Sequence, residues 1–256
     1  MAPGKIFIAL DGMTRGEALF FTKKLTCSRY GHFIAGFKIH DLWDRYGSAI
    51  IADLRRSWAK TIWLDVKLHD TPKTLRLRAL ALRDKGIDIL SVHAGSGIRG
   101  MQAAVSSGLK IVAVTVLTSL DKKEVQKIYG SSPANAVRSL FALAKEAGVW
   151  GLVCSAEEVN SLPKHGKIKI VVPGIQLKKR NGVNQAPRLG PRLSGQLCGT
   201  VLRKRRLLGV ISGNQRRTGT ALETLKLGAD YLVIGSAITN AKDPIKVFEQ
   251  IVSNLN

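Results

Sequence analysis

Cysteine is scarce in this chain: three in 256 residues, Cys27, Cys154 and Cys198, widely spaced and in no paired or metal-binding pattern. An odd, scattered set argues against a disulfide framework or a zinc-type ligand set, so each is expected to be a reduced thiol packed as a small hydrophobe. Long apolar runs are also missing. No stretch reaches the roughly 18 to 20 residues that a membrane-spanning helix requires. The apolar run 6–10 stops at Asp11, too short for the core of a signal peptide. A cytoplasmic protein without membrane association is expected. Acids are outnumbered, 18 Asp and Glu against 40 Lys and Arg, for a net charge of +22. A field of that sign attracts polyanions whatever the fold. Half of the excess, however, lies in one place: residues 178–217 carry eleven basic side chains and no acid. Residues 177–218 also contain no aromatic, so they lack the stacking platforms that hold single-stranded nucleic acid. A charge run is more often a solvated stretch than a recognition surface, and nucleic acid is not the expected partner.

What is present is a repeating alternation. Short β-rich runs at 6–10, 33–38, 61–67, 87–93, 110–117, 149–155, 168–173 and 231–235 are separated by longer stretches of helical period. Runs such as KIVAVTVL and YLVIG are apolar throughout, as strands covered on both faces must be. Eight strands in 256 residues with short connections favour a closed (β/α)8 TIM barrel, an α/β fold of about 250 residues, over an open doubly wound sheet. Helices are expected in TPKTLRLRALALRDKG, with apolar Leu75, Leu77, Leu80 and Leu82, and in SPANAVRSLFALAKEAG, which ends on a glycine stop. The exception is 177–218, some 40 residues with scattered Gly, Pro, Arg and Asn and no sustained period. Structureless runs of that length inside a compact domain are uncommon. The expectation is one domain, 1–256, with 178–212 as a basic, irregular loop insertion after the seventh strand.

Chemistry concentrates at the end of the third strand, Leu64-Asp65-Val66-Lys67-Leu68-His69-Asp70. Residues two apart in a strand share a face, so Asp65 and Lys67 are expected to point into the barrel together. A buried carboxylate and ammonium are costly unless paired. One reading is a simple ion pair closing the barrel top; the other is an active site, since barrel enzymes place theirs at the C-terminal strand ends. Lys38 ends the second strand and His93 the fourth, so three adjacent strand ends offer charged or polar groups. For His93 a hydrogen-bonded core role is the stronger expectation.

The segments IALD (8–11), GFK (36–38), DVKLHDTPKT (65–74), SVHAGSG (91–97), TVLTS (115–119), VVPGI (171–175) and GADYLVIG (228–235) together resemble the orotidine 5'-phosphate decarboxylase family, in the family's order and over most of the chain. The resemblance implies a cofactor-free, metal-free carbon-carbon lyase that converts orotidine 5'-phosphate to UMP and CO2 in pyrimidine biosynthesis. It implies that Lys67 is the proton donor in a network with Asp65, Asp70 and Lys38. Asp11 and Lys38 would meet the ribose, and Thr118 and Ser119 the pyrimidine, although strand-end capping is the plainer role for those two hydroxyls. Pro173, Gln176, Gln215, Gly235 and Ser236 would lie around the phosphate. The chain would form a homodimer, with Asp70 and Thr74 completing the neighbouring subunit's site. Two departures fall at the phosphate, where the family has arginine and this chain has Gln176 and Ser236; Arg216 or Arg217 could supply the lost cation. Thr71 replaces the usual isoleucine. Two rivals remain: a metal-dependent sugar-phosphate enzyme of the 3-hexulose-6-phosphate synthase type, and a basic nucleic-acid-binding protein on an inactive barrel.

Overall fold

The computed structural model describes residues 4–163, 165–176 and 219–255. The expected insertion at 178–212, with Gln215, Arg216 and Arg217, lies outside the described residues. The strands are β1 (Ile6–Ala9), β2 (Ile34–Ile39), β3 (Ile62–Leu68), β4 (Ile89–His93), β5 (Lys110–Val114), β6 (Gly151–Val153), β7 (Lys169–Val172), β8 (Ile175–Gln176), β9 (Gly219–Thr220) and β10 (Tyr231–Ile234). Eight of them close a parallel barrel in the order β1-β10-β7-β6-β5-β4-β3-β2. The fold is therefore the (β/α)8 barrel that the alternation of runs implied. Helices α1 (Arg15–Thr26), α2 (Asp41–Tyr46), α3 (Ala49–Arg56), α4 (Pro72–Arg83), α5 (Gly97–Val105), α6 (Lys122–Tyr129), α7 (Pro133–Glu146), α8 (Ala156–Val159), α9 (Ala221–Lys226), α10 (Ser236–Thr239) and α11 (Pro244–Ser253) follow the strands.

Two features depart most from the sequence reading. The fifth stops at Val114, so Thr115 to Ser119 form the rim loop rather than more strand. The second departure is a further pair, β8 and β9, joined in parallel with Ile175 opposite Gly219 and Gln176 opposite Thr220. This pair sets the described residues on either side of 177–218 next to each other.

Alternation along each strand divides the apolar residues into two cores. Outward residues such as Ile6, Ile8, Ile62 and Leu64 pack on the helices. Inward residues, among them Phe7, Trp63, Ile89, Val112, Val171 and Val233, fill the lumen. Phe7 meets Trp63 edge-on with centroids 5.2 Å apart, which makes the lumen floor aromatic and dry. Gly36 makes room for this packing: a Cβ there would lie 2.7 Å from the Thr61 carbonyl oxygen and 3.0 Å from Phe7. Two residues later on the same face stands Lys38.

The expected α4 forms with Pro72 at its first turn, where a missing N–H costs nothing. Its buried stripe is Leu75, Ala79 and Leu82, at i, i+4 and i+7. Complete burial of a leucine such as Leu75 contributes about 2 kcal/mol over exposure. Leu77, read from the sequence as part of the apolar face, is 55% exposed because two residues from Leu75 is some 200° around a helix. The second expected helix is α7; its glycine stop, Gly148, adopts φ +71° just past the cap Ala147. No helix among the described residues is long and apolar enough to cross a membrane.

Candidate active site

Above the aromatic floor the lumen changes character. Lys38 is 9% exposed at its side chain and lies between two carboxylates, with Nζ 2.8 Å from Asp11 Oδ2 and 3.1 Å from Asp65 Oδ2. Lys67 donates to the same Asp65 Oδ2 at 2.9 Å and has the more open side chain, 39% exposed. The result is one chain of alternating charge, Asp11, Lys38, Asp65, Lys67, at the C-terminal rim of β1, β2 and β3. Desolvation alone would discharge each buried member, and here the neighbours reverse it. Burial works against the Lys38 ammonium, but Asp65 and Asp11 hold its pKa well above the ordinary lysine value. Burial likewise opposes the Asp65 carboxylate, yet Lys38, Lys67 and the hydrogen bonds from Lys67 and Ser91 carry its pKa below the usual range. Asp11 behaves the same way: Lys38 and His40 outweigh desolvation and hold it well below the carboxylate norm.

Lys67 reaches this position through an irregular backbone. The β3–β4 register shifts between Leu64 and Leu68, and Lys67 has φ +47°, in the left-handed region. For a side chain larger than glycine that conformation costs on the order of 1–3 kcal/mol and persists where its surroundings impose it. Simple alternation thus puts Asp65 and Lys67 on one side for the right reason at Asp65 only. At Lys67 a bulge re-aims the side chain over the Asp65 carboxylate, as bulges beside active sites do.

The remaining expected residues divide into groups. Asp70 makes no hydrogen bond or ion pair with Lys67 of its own chain among the described residues; its Oδ1 accepts from the Thr71 amide at 2.9 Å and its Oδ2 lies 3.7 Å from Arg78. Thr74, in the first turn of α4, accepts from the Thr71 hydroxyl at 3.0 Å. Thr118 and Ser119 form the turn after β5. Pro173 follows β7, Gln176 is in β8, and Gly235 follows β10 as the cap of α10, with exposed Ser236 its first residue. Because β10 pairs with both β7 and β1, these loops are neighbours on the rim that carries Asp11. A Cβ at Gly235 would stand 3.3 Å from that of Ala9. His93 is a half-buried rim residue: Nδ1 accepts from the Gly95 amide at 3.0 Å and the ring stacks on His69 at 5.1 Å. Burial, then the neighbouring His69, holds its pKa below the ordinary histidine value.

A charge array at the mouth of a parallel barrel is common to many enzymes, and the comparison with known proteins narrows it. The profile of the orotidine 5'-phosphate decarboxylase / HUMPS family matches residues 4–202. The chain belongs to this family. Orotidine 5'-phosphate decarboxylase of Pseudoalteromonas atlantica is 31% identical over 261 residues, covering 98% of each chain. That of Vibrio cholerae is 31% identical over 262 residues with the same coverage. The crystal structure of orotidine 5'-phosphate decarboxylase from Lactobacillus acidophilus superposes with a TM-score of 0.70 at 25% identity, covering 98% of this chain and 99% of that one. In this member of the family, Asp11, Lys38, Asp65 and Lys67 form a continuous array of ion pairs.

Three residues of this array escape a reading of the sequence. His40 Nδ1 lies 2.8 Å from Asp11 Oδ1 and 3.4 Å from Asp41 Oδ1. Its hydrogen bond to Asp11 raises the imidazole pKa against partial burial. Ser91 donates to Asp65 Oδ1 at 2.7 Å, and Trp63 Nε1 donates to Ser91 at 2.8 Å. The one signal available for Ser91 was its place two residues before His93, a hydroxyl on the inward face of an otherwise apolar strand. Asp11, His40 and Asp41 are also the group among the described residues whose ligand atoms, all within 4.8 Å, could converge on a metal ion. The fit is poor, because Asp11 is already neutralised by Lys38 and Asp41 by Arg45 at 2.5 Å. A divalent cation there would sit against two fixed positive charges.

Proposed function

We propose that the protein is an orotidine 5'-phosphate decarboxylase, releasing CO2 from the nucleotide to give UMP without a cofactor. The observation that carries this reading is the Asp11–Lys38–Asp65–Lys67 array, whose outermost and most open member is an ammonium. Loss of CO2 from C6 of the pyrimidine leaves an electron pair in an sp2 orbital with no ring position to receive it. Such a reaction depends on charge already in place where the carbanion develops. In the proposed complex the C6–carboxylate bond breaks, the electron pair stays on C6, and the Lys67 ammonium stabilises it and then transfers a proton to that carbon. Lys67 is left neutral and recovers its proton from solvent. Asp65 holds the ammonium in place and sets a negative charge near the departing carboxylate.

Asp11 and Lys38 are assigned to the ribose hydroxyls, and Thr118 and Ser119 to the pyrimidine edge. Pro173, Gln176, Gln215, Gly235 and Ser236 are assigned to the phosphate loops, the usual anion site of this fold. The cleft of about 620 Å3 beside β3, bordered by Trp43, Val66, Lys67 and Arg78, opens the array sideways between α2 and α4. A homodimer in which Asp70 of the partner subunit and Thr74 of the partner subunit enter at this side would complete the site.

Purified protein should release CO2 from orotidine 5'-phosphate at an undiminished rate in excess chelator, and Lys67→Ala should lower kcat by at least about 1,000-fold while the barrel still unfolds cooperatively. Absence of CO2 release by the native chain, or turnover that a chelator abolishes, would favour the metal-dependent sugar-phosphate reading instead.

A further inference from the structure

Asp65 is fixed from two sides, and only one of them is the lysine array. Its Oδ2 accepts from Lys67 and Lys38; its Oδ1 accepts the Ser91 hydroxyl at 2.7 Å, and Ser91 accepts the Trp63 indole at 2.8 Å. Ser91 is fully buried, and Trp63 is 2% exposed. The donor inventory settles the direction of this chain. An indole N–H can only donate and a carboxylate can only accept, so the serine hydroxyl between them receives from Trp63 and gives its single proton to Asp65.

The strand geometry explains why these three meet. Trp63 and Asp65 are two apart on β3 and face the lumen together. The β3–β4 register pairs Trp63 with Ile89 and Leu64 with Leu90, and one further step sets Asp65 beside Ser91, immediately before the bulge. The relay ends where the regular ladder ends. Beyond that point Lys67 is held by its left-handed backbone and by the oxygen atoms of Asp65, including the Asp65 carbonyl at 3.3 Å. Any rotation of the carboxylate therefore moves the ammonium.

We infer that Trp63 and Ser91 are positioning residues for the reaction: the indole fixes the serine hydroxyl as a donor to Asp65 Oδ1, which locks the carboxylate with Oδ2 turned to Lys67 and Lys38. This rests on the decarboxylase reading above. The relay belongs to the barrel interior, touches no expected substrate atom, and ties the aromatic floor of the lumen to the charge array. Its effect falls more on kcat than on nucleotide binding, because the groups assigned to pyrimidine and phosphate are separate from it and Lys38, assigned to the ribose, keeps its second carboxylate, Asp11. A buried hydrogen-bond chain of this kind is also coupled, so removing either link forfeits much of the whole.

The test is a double-mutant cycle with Trp63→Phe, which keeps the ring and removes the N–H, and Ser91→Ala. Each single variant should lower kcat on the order of tenfold with KM changed less than about twofold, and the double variant should be little worse than Ser91→Ala alone. Carboxyl-carbon NMR of the ligand-free protein supplies a second readout: the Asp65 titration midpoint should rise in both singles, since a donor to the charged form is lost or loosened. Retained kcat in either single with an unmoved Asp65 midpoint overturns the relay, as does full additivity in the double variant. If the native chain shows no decarboxylation, the functional reading fails by itself. The Asp65 midpoints then decide the relay: a rise in both singles upholds the locked carboxylate, and no change overturns it. Should Trp63→Phe fold poorly, Ser91→Thr, which keeps the donor, serves as the control and should hold both kcat and the midpoint at native values.

Discussion

At the scale of single residues, the site works by making burial and charge compatible. Lys38 would be expelled or neutralised in an apolar lumen, but the carboxylates of Asp11 and Asp65 convert the penalty into a fixed ammonium. Removing either acid leaves Lys38 with the other as its one remaining carboxylate, so the loss should be smaller than the roughly 3–5 kcal/mol of a buried pair broken outright. His40 extends the array toward solvent. Its folded pKa is raised above the ordinary value by Asp11, with Asp41 helping and Lys38 opposing. A group whose folded pKa is raised binds its proton more tightly in the native state. Its contribution is therefore complete below about pH 6.5 and is lost as pH rises through the folded value. Thermal unfolding followed from pH 6 to pH 8.5 should show the native protein losing its advantage over His40→Ala across that window. Two parallel curves would mean that the imidazole is not held by Asp11.

At the scale of elements, β3 and α4 form one functional unit: the bulge presents Lys67, the next residues turn, and the first turn of α4 carries Thr74. Asp70 lies in that turn with its carboxylate facing its own Arg78 rather than its own Lys67. That orientation suits a residue that serves a neighbouring site. If Asp70 acts across a dimer, Lys67→Ala and Asp70→Ala proteins should each be inactive alone. Mixed with subunit exchange, they should recover up to about a quarter of native activity, because half of the random dimers carry one intact site of two. No recovery, with exchange shown by mass-tagged subunits, would place the whole site in one chain.

The same unit shows how far the sequence could be read. Asp65, Lys38 and the barrel itself follow from alternation and from strand count, because inward parity and parallel burial leave few choices. The bulge at Lys67 leaves no mark in composition; its left-handed backbone comes from tertiary packing, which overrides local preference. Leu77 leaves the buried stripe because its angle around the helix, which hydropathy alone does not carry, decides its burial. His40, Ser91 and Trp63 carry little signal in the sequence because each is an ordinary residue for its element. Their roles exist only across strands, in distances to Asp11 and Asp65 that no single segment encodes.

At the scale of the whole molecule, the barrel and its charge solve separate problems. The closed sheet with its aromatic floor supplies rigidity, and a net charge of +22 supplies a long-range field that attracts anions. Eleven of those charges come from residues 178–217, leaving the same net excess on the rest of the chain. The pairing of Ile175 with Gly219 and of Gln176 with Thr220 means that the chain leaves and re-enters the barrel at adjacent points. Neighbouring strands are about 4.8 Å apart, so a much shorter connection can bridge them. Deletion of residues 179–211 removes eight basic side chains and no acid, keeps Gln176 and Gln215, and leaves nine residues between Gln176 and Gly219. Nine residues reach about 30 Å when extended, ample for this gap, and a shorter loop lowers the closure entropy slightly. The shortened protein should fold, keep kcat within about threefold of native, and focus at a lower isoelectric point. Its kcat/KM should fall less steeply with added salt, because part of the steering field has been removed. A variant that unfolds at the native temperature yet no longer binds UMP would show that the segment itself completes the phosphate site, and the insertion reading would then be wrong.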